Sequence, residues 1–118
     1  MISTRHIKAW EKFNEDLNAF RTETGADYAV LYENANIVRE VKDFRMTESG
    51  ELTFEEYETY AISANPITHE KEQMIDEDDA REYLKYWRGC LKRAKRYWSM
   101  DTEKLDAIQD GIITDEED

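Results

Sequence analysis

The sequence predicts an α+β fold in the order helix, three-stranded antiparallel sheet, long helix, short helix. Two segments near the ends carry apolar residues at helical spacing, while the middle is dense in β-formers and broken by two turn signals. The third observation is compositional. With 40% hydrophobic and 12% aromatic residues the chain can form a core, even at a mean hydropathy of −0.89.

Residues 4–22 place Ile7, Trp10, Phe13, Leu17 and Phe20 at steps of three and four, the stripe of an amphipathic helix. Ser3 or Thr4 can cap its start, and Gly25 can end it. Tyr28 to Tyr32 is a short apolar run of β-formers, Glu33 to Asn36 reads as a turn, and Glu48-Ser49-Gly50 as a second. These marks predict strands near 27–33, 36–46 and 51–62. An all-α bundle is the alternative, because Ile37, Val38, Val41 and Phe44 share a helical face and Thr53 to Glu56 spells a capping box flanked by Leu52 and Tyr57. The β-former density of Thr53, Phe54, Tyr57, Thr59, Tyr60 and Ile62 favours strands.

Residues 76–100 are the most strongly patterned. Ala80, Tyr83, Leu84, Trp87, Cys90, Leu91, Ala94, Tyr97 and Trp98 fall on one helical face, with Arg81, Lys85, Arg88, Lys92 and Arg96 opposite. Asp76 to Asp79 stand where the helix dipole favours anions. A short helix over about 101–110 follows, capped by Asp101 and stopped by Gly111. At 118 residues the expectation is a single compact domain over 1–112 with an acidic flexible tail over 113–118.

Charge is unevenly distributed. The chain holds 28 acidic and 16 basic residues for a net charge of −12, yet eight of the basic ones lie within 71–100. The acids of the middle, Glu48, Glu51, Glu55, Glu56 and Glu58, together with Asp115, Glu116 and Glu117 of the tail, are the candidate partner-binding surface. Alternate residues of a strand are spaced about 6.6–7 Å, close to the phosphate repeat of a DNA strand, so a carboxylate row could imitate a nucleic-acid backbone. Equally, such a row could be a solubilising edge that discourages aggregation. The stripe Arg81, Lys85, Arg88, Lys92 and Arg96 is a secondary candidate surface. Its direct binding to nucleic acid is disfavoured, since the long-range field of so acidic a molecule repels a polyanion.

Other chemistries find little support. Cys90 is the single cysteine, so no internal disulfide or cysteine-based zinc site forms, and a reducing setting is expected. Residues 45–56 resemble the second half of an EF-hand loop, with Gly50 and Glu56 in place. Arg45 and Thr47, however, stand where calcium ligation needs carboxylates. His69 lacks the second histidine of a zinc helix, the acids at 76–79 fan around a helix, and His6 is isolated on an exposed face. The glycines at 25, 50, 89 and 111 form no phosphate loop, and no nucleophile elbow is present. The chain is therefore expected to be no enzyme and to use no metal or cofactor. Neither a signal peptide nor a membrane-length apolar run is seen, which predicts a cytoplasmic protein.

The element order and the charge together resemble the small acidic DNA-mimic inhibitors that phages deploy against host defences, the anti-CRISPR and anti-restriction type. That resemblance implies an inhibitor working in the host cytoplasm as a monomer or homodimer. It would occupy the basic groove of a nucleic-acid enzyme such as a defence nuclease. An immunity or antitoxin protein that neutralises a basic toxin is the alternative, and a regulatory oligomeric module is a third.

Overall fold

A computed structural model describes residues 2–57 and 67–112 of the chain. Among these residues the fold class is α+β, with a sheet of four strands rather than three. The elements are α1 (Thr4–Thr24), β1 (Ala29–Asn34), β2 (Ile37–Met46), β3 (Glu51–Tyr57), β4 (Ile67–Gln73), α2 (Glu77–Ser99) and α3 (Thr102–Gln109). The strands form an antiparallel meander in the order β1-β2-β3-β4.

The fourth strand corrects the expected architecture. Its stretch His69-Glu70-Lys71-Glu72-Gln73 has no apolar alternation, so its sequence carries no strand signature. Pairing with β3 along its whole length supplies what the side chains do not. A charged edge strand also resists edge-to-edge association. Residues 58–62, expected to complete the third strand, lie outside the described residues.

Helices α1 and α2 cover one face of the sheet. Trp10, Phe13, Leu17 and Phe20 of α1 meet Leu31, Val41, Phe44, Leu52 and Phe54 of the sheet and Leu84, Trp87 and Leu91 of α2 in one buried cluster. At its centre Phe44 stacks on Phe54 at 4.6 Å and meets Trp87 edge-on at 4.9 Å and Phe13 at 5.2 Å. Such pairs add about 0.5–1.5 kcal/mol each beyond the area they bury.

The helical appearance of β2 has a structural cause. The register shifts between Lys42 and Arg45, where Asp43 takes a left-handed φ of 59°. This β-bulge inserts an extra residue, so Val41 and Phe44 both face the helices although they are three apart. The interruption leaves the Phe44 amide to donate to Asn14 Oδ1 of α1 at 3.0 Å, which joins the bulge to the helix above it.

Turns and caps follow local chemistry. Asn34 Oδ1 accepts from the amides of Asn36 and Ile37, closing the β1–β2 turn. The EF-hand-like stretch is a β-hairpin of β2 and β3, and Gly50 in its turn, at φ 89°, lies where a Cβ would be 2.5 Å from the Met74 carbonyl oxygen. Gly25 ends α1 in the left-handed conformation, while Asp76 and Asp101 cap α2 and α3 through the amides of Asp79 and Lys104. Ser3 occupies the α1 cap position without a side-chain cap bond; its amide donates to Glu77 Oε1 at 2.7 Å instead.

Candidate protein-binding surface

The hairpin acids are not brought to one face. Glu48 is exposed in the β2–β3 turn. Glu51 and Glu55 point away from the helices, but Lys71 Nζ lies 3.3 Å from Glu51, and Lys42 and His69 stand opposite Glu55 in register. Asp43 and Arg45 share a shallow depression there with Glu55, His69 and Lys71. This face, expected to be acidic, carries mixed charge. Glu58, Asp115, Glu116 and Glu117 lie outside the described residues.

Glu56 points the other way, as strand alternation requires of the residue after Glu55. Its carboxylate holds Arg39 bidentately, at 2.7 Å to Nε and 2.9 Å to the terminal nitrogen, with side chains 18% and 24% exposed. The Arg39 guanidinium also lies 4.5 Å from the Trp87 ring centroid and 3.4 Å from the Tyr86 hydroxyl. Burial alone pulls Arg39 down, yet its bonds to Glu56 and Tyr86 hold it above its ordinary pKa. Tyr86 in turn donates to Glu33, and burial followed by that contact raises its hydroxyl well above the tyrosine range. Glu56 thus belongs to an internal network that ties β1, β2, β3 and α2 together.

The dense acidic surface is elsewhere, at the corner where β4 runs into α2. Glu70 and Glu72 occupy alternate positions of β4, and Asp76, Glu77, Asp78, Asp79 and Glu82 continue the series into the first two turns of α2. Some of these carboxylates also serve the fold: Asp78 pairs with Arg81 at 2.6 Å, and Glu77 accepts from Ser3 and lies 3.5 Å from His6 Nε2. His6, expected on an exposed face, has a side chain only 11% exposed. Beside the corner opens a cleft of about 510 Å³, lined by Glu72, Asp79 and Glu82 on its acidic rim and by Tyr83 and Tyr86, parallel within 4°. The sequence holds every one of these acids, but Glu72 comes beside Asp79 and Glu82 at the cleft through β4, which its side chains do not signal.

The predicted basic stripe is a real surface feature. Arg81, Lys85, Arg88 and Lys92 are exposed along α2, and Arg96 is half-buried with its guanidinium 4.9 Å from the Tyr97 ring. Arg93, beside the stripe, donates to the Tyr32 carbonyl at 3.0 Å and anchors α2 to β1. On the opposite side Trp98 departs from expectation. Its position fits the apolar face, yet it is 57% exposed, one residue before the end of α2 at Ser99.

Cys90 is buried, and burial pushes its thiol up, which leaves it a poor nucleophile. Among the described residues no cluster of three metal-ligating side chains forms, and no helix is long and apolar enough to cross a membrane. No protein-family model, curated protein or solved structure matches the chain.

Proposed function

We propose that this chain is a small acidic inhibitor that binds a nucleic-acid-binding protein, presenting carboxylates where that protein would hold phosphates. The observation that carries the reading is the β4–α2 corner, where seven carboxylates lie within residues 70–82 on one strand edge and the helix that follows. Glu70 and Glu72, as alternate strand residues, are spaced about 6.6–7 Å, near the phosphate repeat. A net charge of −12 adds attraction toward a basic groove, and that attraction weakens with salt. The partner class that fits is a nuclease or other DNA-processing enzyme.

The test compares two triple variants of equal charge. Glu72→Lys, Asp78→Lys and Glu82→Lys change the corner; Glu11→Lys, Glu15→Lys and Glu23→Lys change exposed positions of α1. Immobilised wild-type chain should retain DNA-processing enzymes from a bacterial lysate and release them to duplex DNA or to salt. The corner variant should retain at least tenfold less, while the α1 variant behaves as wild type. Equal loss in both variants would show only a diffuse field, and retention indifferent to DNA would refute mimicry.

A further inference from the structure

A second, chemically opposite site lies at the other end of α2. A pocket of about 430 Å³ is enclosed by Phe20 at the end of α1, Val30 and Tyr32 of β1, Ala94 and Trp98 of α2, and Leu105 of α3. No residue that lines it is charged, although 37% of the chain is. Tyr32 and Tyr97 meet edge to face at 4.8 Å and form one wall. Trp98, 57% exposed, presents a third ring.

The roof is a separate piece of structure. Helix α3 joins the rest through a small cluster of Ala35, Tyr97 and Ile108, distinct from the main core, and through Gln109 Nε2 donating to the Ala35 carbonyl at 2.9 Å. Few contacts therefore need to open for α3 to admit a molecule. Size, uncharged lining and aromatic walls match the general character of small-molecule sites, which span about 300–1,000 Å³.

We infer that this pocket binds a neutral, planar aromatic small molecule beneath α3. An anion would meet the field of a −12 chain with no cation in the lining, and a cation would find no carboxylate there. An uncharged ring avoids both penalties and gains edge and face contacts with Tyr32, Tyr97 and Trp98. The site is independent of the acidic corner.

The probe is the neutral fluorophore N-phenyl-1-naphthylamine, titrated into the full chain. Expected is a saturable emission increase with one site per chain. Leu105→Trp, which fills the pocket from α3, should weaken binding at least tenfold with unchanged circular dichroism and cooperative unfolding. Val30→Trp fills the same space from the sheet and should do likewise. Non-saturable binding, or wild-type affinity in both folded variants, overturns the inference. So does self-association in sedimentation that both substitutions abolish and the probe does not displace, because the pocket would then seat a second copy of the chain.

Discussion

Replacing Glu56 with leucine leaves the Arg39 guanidinium against Trp87 and Phe54 without its carboxylate. Breaking a fully buried ion pair costs about 3–5 kcal/mol, whereas an exposed pair contributes about 0–1 kcal/mol. With side chains 18% and 24% exposed, this bidentate pair falls between those limits, so solvent screening brings the expected cost to about 2–3 kcal/mol. At about 2.1 cal/mol/K per residue, a chain of 118 residues has an unfolding entropy near 250 cal/mol/K, and the loss becomes a Tm decrease of about 8–12 °C. The assay is a double-mutant cycle of Glu56→Leu, Arg39→Met and the combined variant, followed by denaturant unfolding. The double variant should recover most of the loss, since neither charge is then left unpaired, giving a coupling energy of about 1.5–3 kcal/mol. A coupling below about 0.5 kcal/mol would show that Trp87 alone holds Arg39 and that Glu56 is a surface group.

Asn14→Ala should cost about 1–3 kcal/mol in denaturant unfolding, because the Phe44 amide at the bulge loses the acceptor 3.0 Å away; a loss under 0.5 kcal/mol would mean that water replaces it. Tyr86 keeps its proton in the folded state beyond the ordinary tyrosine pKa of about 10, burial acting first and Glu33 second. Its contribution to stability is full below that pH and declines as pH rises further, because the unfolded chain releases the proton first. Tyr86→Phe should flatten this alkaline decline and remove one late-titrating group from the tyrosinate absorbance curve, whereas loss of a group that titrates near the ordinary value of about 10 would place Tyr86 in ordinary solvent.

The sequence by itself determined the helices. The stripes of α1 and α2 report which residues meet a core, and Gly25, Asp76 and Asp101 act on their own backbone neighbours, so no distant contact is needed to read them. Tertiary structure decided the sheet. β4 is a strand because β3 offers it a hydrogen-bonding edge, and the bulge at Asp43 gives β2 a helical-looking spacing that local pattern cannot separate from a helix. The same limit governs the candidate surfaces. Composition shows many acids, but only the sheet register sends Glu55 to a face shared with lysines and histidine, and Glu56 to Arg39. The uncharged pocket under α3 joins elements remote in sequence, so its chemistry follows from packing, whereas the acidic corner is a local run over residues 70–82 that the pairing of β4 with β3 shapes into a surface.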